Sequence, residues 1–189
     1  MNLLETLKRF IAFLKQDTWQ SWIVSLILII IIIKFVFFPI LSLITKTPLP
    51  LVVVESCSMY HETNFENWWQ KNNEWYNLKG IDKSEFQNFK FNNGLNKGDI
   101  VLLWGRSPYK VGDVIIFSGG TTHPIIHRVV SQNPITTKGD HNSDQLPLEK
   151  NINEKLIIGQ GIARIPFIGW IKLIFFEGTR PKESRGLCR

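Results

Sequence analysis

The chain has 189 residues, of which 44% are hydrophobic and 20% are charged, values that suit one folded domain with attachments and exclude a disordered or fibrous protein. Its formal net charge of +6 is modest and no run of Lys or Arg exceeds two residues, which argues against a nucleic-acid-binding protein. The two cysteines, Cys57 and Cys188, exclude a disulfide-dense scaffold and a CxxC metal or redox site, and they allow at most one bridge.

Apolar residues concentrate near the N-terminus, where residues 22–44 predict a transmembrane anchor. A helix of this length spans roughly 34 Å at about 1.5 Å per residue, enough for a hydrocarbon core of about 30 Å. The stretch is longer than the apolar part of a signal peptide and lacks a small-x-small exit, so we expect a permanent anchor. Lys34 interrupts it near Pro39, where its ammonium can snorkel to the membrane surface; an intramembrane functional lysine is the alternative.

Residues 1–21 predict a cytoplasmic, amphipathic N-terminal segment. Apolar residues recur at helical spacing from Leu4 to Leu14, which indicates a short helix on the inner leaflet, with an extended tail as the alternative. Three basic residues precede the anchor, whereas Lys46 alone lies close behind it. Because positive charges favour the cytoplasmic side, we expect a cytoplasmic N-terminus and an extracytoplasmic chain beyond Lys46.

Beyond the anchor, short runs rich in Val and Ile alternate with Gly, Pro and Asn and predict a mainly β domain. The predicted strands are 51–54, 100–104, 114–117, 125–130, 155–158 and 167–176, the last within a β-hairpin over 162–176. No helical segments alternate with these runs, so a βαβ fold is not expected. We assign residues 45–60 and 95–176 to this extracytoplasmic domain and residues 177–189 to a basic tail.

Residues 61–94 differ from the β-rich background because they contain many aromatic residues and Asn and almost no aliphatic run. We expect an inserted, partly helical subdomain in which the aromatic side chains form a small core. Contact of these side chains with a membrane or a substrate is the alternative.

Three turn-rich sites carry reactive side chains, and their order along the chain is Ser, His, Asp. Ser56 and Ser58 follow the first predicted strand, where a hydroxyl can be held rigidly and exposed for attack. His127 offers a neutral imidazole, the usual base for a serine. Asp140 and Asp144 lie in a polar turn, from which a carboxylate can orient a histidine. Taken separately, the serine pair and the Asp-rich turn are equally typical of ordinary turns.

A shared metal site at His123 and His127 is not expected. Pro124 and the branched residues Ile125 and Ile126 favour a strand, in which the two imidazoles lie roughly 13 Å apart at about 3.3 Å per residue. The pair also lacks the acidic residue of an HExxH motif.

Together, these sites resemble the type I signal peptidases. The motifs that carry the resemblance are, in order, SxSM (56–59) after the anchor and an apolar strand, GDIVLL (98–103), GDVIIF (112–117), HRVV (127–130) and KGDxN (138–142). The His-Arg pair stands where the bacterial enzymes carry Lys-Arg, and so the chain is similar to the archaeal and endoplasmic-reticulum branch, which includes the catalytic subunit of the eukaryotic complex. The resemblance covers the anchor, residues 51–60 and residues 95–170.

The resemblance implies a membrane-bound serine endopeptidase that removes signal peptides from exported preproteins. It implies Ser58 as the nucleophile, His127 as the general base and Ser56 as the hydroxyl that assists the oxyanion hole. Asp144 best matches the third triad member, and Asp140 matches the Gly-Asp position that archaeal relatives also need; their short spacing leaves both assignments open.

The resemblance also implies partners and a location. The partners are secretory preproteins, the lipid bilayer and a translocon or accessory subunits, without nucleic acid. The location is a cell membrane crossed once, or the endoplasmic-reticulum membrane in a eukaryote. No metal or organic cofactor is called for.

The sequence departs from the family's pattern and leaves three alternatives open. Cys57 stands where the family usually has Gly, and Tyr60 and His61 follow where it commonly has x-Pro. The first two alternatives are His61 as the base, and a serine-lysine protease with Lys138 as the base. The third is a catalytically inactive, membrane-anchored β module that binds exported proteins or a translocon.

Overall fold

The computed structural model describes residues 2–105, 108–120 and 122–188, and the chain divides into two units, Met1–Ile44 and Thr45–Arg189. The first unit is helical. Its elements are α1 (Leu3–Leu14), α2 (Trp19–Ile32), a π-helical turn (Ile33–Phe37) that contains Lys34, and α3 (Phe38–Thr45), whose last residue is the first of the second unit. The continuous helix Trp19–Thr45 contains an 18-residue window with a mean hydropathy of 3.0, and the length and composition of the helix suffice to cross a membrane.

The segment before the apolar helix is helical over Leu3–Leu14 (α1), where the sequence left an extended tail as the alternative. The side chain of Thr18 caps the start of α2 by accepting from the backbone N–H of Ser21 at 3.3 Å. The hydroxyl of Ser21 donates to the carbonyl of Leu14 at 2.9 Å and so closes the turn between α1 and α2.

The second unit is built on one antiparallel sheet of six strands in the order β1-β2-β6-β3-β4-β5. Its strands are β1 (Leu51–Val53), β2 (Ile100–Trp104), β3 (Val114–Phe117), β4 (Ile125–Gln132), β5 (Ile135–Lys138) and β6 (Ile157–Ile165). The structure thus confirms the predicted mainly β fold with one N-terminal apolar helix.

The sheet is covered on both faces at its centre. All four residues of β3 are buried, and successive side chains of a strand point to opposite faces. Val114 and Ile116 accordingly join one apolar cluster, whereas Ile115 and Phe117 join another. Burial on both faces explains why the strand reads as a continuous apolar run in the sequence.

The aromatic segment 61–94 forms two helices, α4 (Phe65–Asn77) and α5 (Lys83–Gln87). Asn64 caps α4 and Asp82 caps α5, each by accepting a backbone N–H three residues on. The aromatic side chains form the predicted small core, which also includes Val130 of β4. Its buried members are Trp68, Trp69, Tyr76, Ile81, Phe86 and Val130.

The predicted β-hairpin over 162–176 is wrong. Strand β6 runs to Ile165, and a single helical turn, α6 (Trp170–Leu173), follows it. Pro166 lacks an N–H for the ladder and Phe167 adopts a positive φ of 60°, so pairing stops there. The N–H of Gly169 then donates to the carbonyl of Gly98 at 2.8 Å. The strand predicted at 155–158 likewise begins only at Ile157.

The C-terminal segment is tied to the loop that follows β1. Cys188 forms a disulfide with Cys57. Arg180 donates to the carbonyl of Glu55 at 2.6 Å and to its carboxylate at 2.8 Å. The buried Lys97 donates to the carboxylate of Glu177 at 3.0 Å and thereby holds the start of this segment. Arg189, the last residue of the predicted basic tail, lies outside the described residues.

Replacing Cys188 with Ser tests how far this tie stabilises the second unit. The disulfide joins residues 131 positions apart, so its loss frees a large loop in the unfolded chain. We expect Cys188→Ser to lower the free energy of unfolding by about 2–5 kcal/mol. Thermal unfolding followed by tryptophan fluorescence measures this, with reductant added to wild type and variant as the control. Equal Tm values in oxidised wild type and variant would contradict it.

Candidate active site

Ser56 and Ser58 lie in the loop after β1, with their hydroxyl oxygens 3.2 Å apart. Ser56 is exposed and Ser58 is partly exposed. The backbone of the loop is held firmly, because the carbonyl of Ser58 accepts from the N–H of His141 at 2.8 Å and that of Met59 accepts from Leu95 at 2.8 Å. The two hydroxyls therefore stand accessible on a fixed backbone, as a nucleophile requires.

His127 lies on β4, is 3% exposed and shares a neighbour, Gly139, with the backbone of Ser58. A Cβ placed on Gly139 would lie 2.7 Å from Nε2 of His127, 2.7 Å from the carbonyl oxygen of Ser58 and 2.8 Å from Nδ2 of Asn142. Contacts that short leave no room for a side chain. The glycine of the KGDxN motif therefore allows the histidine ring and the serine loop to approach each other.

The other ring nitrogen of His127, Nδ1, contacts Oε1 of Glu149. This carboxylate is fully buried at the end of a short 3-10 helix, Pro147–Glu149. It also accepts the hydroxyl of Thr137 at 2.8 Å and the N–H of Leu146 at 2.7 Å. Sequence reasoning missed Glu149, because a lone acidic residue beyond the KGDxN motif carries no spacing that links it to His127.

The two aspartates singled out from the sequence lie elsewhere. Asp144 is exposed and accepts from Nε1 of Trp75 at 2.9 Å. Asp140 is fully buried and accepts from Nε and Nη2 of Arg128 at 2.9 and 2.7 Å. Among the described residues, the carboxylate bonded to His127 is that of Glu149, so the structure does not bring Asp144 or Asp140 to the histidine.

Asp140 and Arg128 form the centre of a buried polar network. Asp140 also contacts Nε2 of His61 at 3.0 Å and the hydroxyl of Tyr76 at 3.2 Å. Burial opposes ionisation of Asp140, but the guanidinium of Arg128 and the hydrogen bond to His61 hold the pKa of its carboxyl well below the usual range. Burial and the charge of Asp140 both raise the pKa of the Tyr76 hydroxyl. Asp140 is therefore an ionised structural carboxylate.

Both alternative bases considered from the sequence have other partners. The ring of His61 stacks on Trp68 with centroids 3.7 Å apart and bonds to Asp140. The ammonium of Lys138 donates to the carbonyl of Gly139 at 3.1 Å and lies 5.0 Å from the ring centre of Tyr76. Burial lowers the pKa of Lys138 to about 8, against the opposing effect of Asp140. Within the described part of the chain the Ser58 hydroxyl bonds to that of Ser56, and none of His61, Lys138 and His127 hydrogen-bonds to it. His127 differs from the other two because its Nε2 lies beside Gly139 and the Ser58 carbonyl.

Among residues 2–105, 108–120 and 122–188, no cluster of three or more His, Cys, Asp or Glu side chains could hold a metal ion. The imidazole of His123 instead lies 3.4 Å from the carboxylate of Glu55.

The buried pair predicts how stability depends on pH. The pKa of Asp140 is lower in the folded chain than the value of about 3.9 expected when unfolded, so its contribution is complete above that value and is lost as the pH falls through the folded pKa. We expect Asp140→Asn to lower the free energy of unfolding at pH 7 by about 3–5 kcal/mol, because it leaves Arg128 buried without a counter-charge. Its Tm should also depend less on pH below 4 than that of the wild type does.

Thermal unfolding between pH 3 and 7 provides the measurement. Asp144→Asn is the matched control, because Asp144 is exposed and we expect a wild-type Tm at pH 7. Parallel Tm profiles for wild type and Asp140→Asn would contradict the prediction.

The chain is similar to fungal proteins named signal peptidase complex catalytic subunit SEC11. The relative from Fusarium vanettenii is 30% identical over an alignment of 152 residues that covers 72% of this chain and 70% of that relative. The relative from Chaetomium globosum is 29% identical over the same shares of both chains. The relative from Clavispora lusitaniae is 35% identical over 95 residues, 43% of this chain and 57% of that relative.

No family model matches the chain. The likeness to the Fusarium protein nevertheless spans more than two thirds of both chains, and the curled antiparallel sheet after one apolar helix agrees with the fold that the sequence motifs imply. The chain belongs to the family of signal peptidase complex catalytic subunits.

Proposed function

We propose that this protein cleaves the signal peptides of secretory preproteins as a membrane-bound serine endopeptidase, with Ser58 as the nucleophile and His127 as the general base. The observation that carries the proposal is the meeting of the Ser58 loop and Nε2 of His127 at Gly139. Family membership supplies the substrate class, since the relatives are named for signal peptidase activity.

The proposed reaction is acyl transfer. The hydroxyl of Ser58 attacks the scissile carbonyl while Nε2 of His127 takes its proton, and the histidine then returns that proton to the leaving amine. A water molecule activated by the same nitrogen hydrolyses the acyl-enzyme and regenerates the serine. Every proton transfer thus uses one ring nitrogen of His127.

Charge on the tetrahedral intermediate needs nearby donors. The backbone N–H of Ser58 and the hydroxyl of Ser56 are our candidates, because the Ser56 hydroxyl lies 3.2 Å from that of Ser58. Each donor of this kind is typically worth about 2.7–4 kcal/mol of transition-state stabilisation.

The disulfide supports the proposed orientation across the membrane. Disulfides persist in oxidising compartments and are rare in the cytosol, and the Cys57–Cys188 bridge lies in the unit that carries Ser58 and His127. We propose that the N-terminus is cytoplasmic and that the unit beginning at Thr45 acts on the extracytoplasmic side. The relatives are named as subunits of a complex, so we also propose accessory subunits or a translocon as partners.

The first test compares wild type with Ser58→Ala and His127→Ala. We expect each substitution to lower cleavage of a preprotein with a small-x-small site by on the order of 1,000-fold or more, because each removes a group that acts directly on the reacting atoms. Mass spectrometry of the product N-terminus measures cleavage by the full chain in detergent. Near-wild-type cleavage by either variant would refute the assignment.

Lys138→Ala serves as the control against a serine-lysine mechanism, and we expect it to retain cleavage. If folded wild type cleaves no preprotein in detergent or in membranes, the inactive binding module becomes the better account.

A second test concerns Gly139. Alanine there would place its Cβ 2.7 Å from both Nε2 of His127 and the Ser58 carbonyl, so it must push the base and the nucleophile loop apart. We expect Gly139→Ala to lower kcat on the order of 100-fold, the usual effect of misplacing a catalytic group by about 1 Å. Gly178→Ala is the matched control, because no atom lies within 4 Å of its Cβ. Equal kcat values in the two variants would contradict the proposed meeting point.

A further inference from the structure

We infer that Glu149 is the residue that orients His127 for proton transfer, in the role that the family resemblance assigned to Asp144 or Asp140. The inference rests on the proposed function, since it requires Ser58 and His127 to act together. It names a positioning residue that no motif in the sequence marks.

The two nitrogens of the His127 ring face different groups. Nδ1 contacts Oε1 of Glu149, whereas Nε2 lies beside Gly139 and the Ser58 loop. A carboxylate only accepts hydrogen bonds, so this contact favours the tautomer with its proton on Nδ1. That tautomer leaves the lone pair of Nε2 free to take the proton of Ser58.

Both oxygens of Glu149 are committed as acceptors. Oε1 accepts from the hydroxyl of Thr137 as well as contacting His127, and Oε2 accepts the N–H of Leu146. Glu149 and Thr137 are both fully buried, so packing limits the rotation of the carboxylate. The ring of His127 is consequently held from one side by a rigid group.

The charge of Glu149 also suits this role. Among the described residues, neither Lys nor Arg forms an ion pair with Glu149, and its ion-pair partner is His127. Asp140 differs, because the guanidinium of Arg128 already balances its charge in a fully buried pair. The imidazolium that forms during proton transfer is therefore the cation that Glu149 is placed to stabilise.

Glu149→Gln tests the inference with the full chain in detergent. A glutamine has one acceptor oxygen, so it cannot accept from Leu146 and from Thr137 and His127 together. We expect kcat to fall by about 100- to 10,000-fold, with KM within about threefold of wild type, because the substrate itself is not touched. Glu149→Asp keeps the carboxylate, so its kcat should be at least about tenfold higher than that of Glu149→Gln. Asp144→Asn should keep the wild-type kcat.

A double-mutant comparison separates positioning from a merely structural role. If Glu149 acts through His127, the variant that combines His127→Ala with Glu149→Gln cleaves no more slowly than His127→Ala alone. A structural defect would instead add its own loss to that of His127→Ala.

The outcomes distinguish the two proposals. Wild-type cleavage by Ser58→Ala would overturn the proposed function and this inference with it. Loss of activity in Ser58→Ala together with a wild-type kcat in Glu149→Gln would overturn the inference alone. A fall in the kcat of Asp144→Asn equal to that of Glu149→Gln would also overturn it. If Glu149→Gln does not fold, Thr137→Val decides, because it removes a hydrogen bond that holds the Glu149 carboxylate. A lowered kcat at unchanged KM supports positioning, and a wild-type kcat overturns it.

Discussion

The fully buried ion pair between Arg128 and Asp140 is the interaction on which the arrangement of the site depends. A guanidinium without water must find a partner for each of its donors. Beyond Asp140, Arg128 donates to the carbonyls of Lys90, Phe91 and Gly112. One side chain thus joins the end of the aromatic segment, the turn before β3 and the turn after β5. Breaking the pair would leave a buried charge and release three segments at once.

The same pair sets the direction of His127. His127 and Arg128 are neighbours on β4, and neighbouring side chains of a strand point to opposite faces. Asp140 meets Arg128 on one face, and Gly139 meets His127 on the other. The two residues of each dipeptide, His127-Arg128 and Gly139-Asp140, therefore have separate tasks. Arg128 and Asp140 are structural, whereas His127 and Gly139 belong, in our proposal, to the catalytic site. The Ser58 loop reaches the His127 side because its carbonyl is bonded to the N–H of His141, just past Asp140.

Three carboxylates near the site have different environments, and this difference supports our choice among them. Asp140 is neutralised by Arg128, and Asp144 is exposed and bonded to an indole N–H. Glu149 is buried with a histidine as its ion-pair partner. The nucleophile loop is held from a further direction by the Cys57–Cys188 disulfide. A serine and a histidine with little freedom to move are what an acyl-transfer site requires.

The sequence by itself determined the apolar helix, several strands and the order of the reactive residues. Each of these depends on local patterns: hydropathy for residues 22–44, and Val/Ile runs bounded by Gly-Asp turns for β2 and β3. The hairpin predicted over 162–176 failed because an interrupted apolar run fits a strand and a helical turn equally well, and the positive φ of Phe167 decided between them. Only the tertiary structure revealed Glu149, which lies 22 positions from His127. Which of three carboxylates reaches a histidine depends on how the chain after β5 crosses the sheet, and that path follows from burial and hydrogen bonding rather than from spacing.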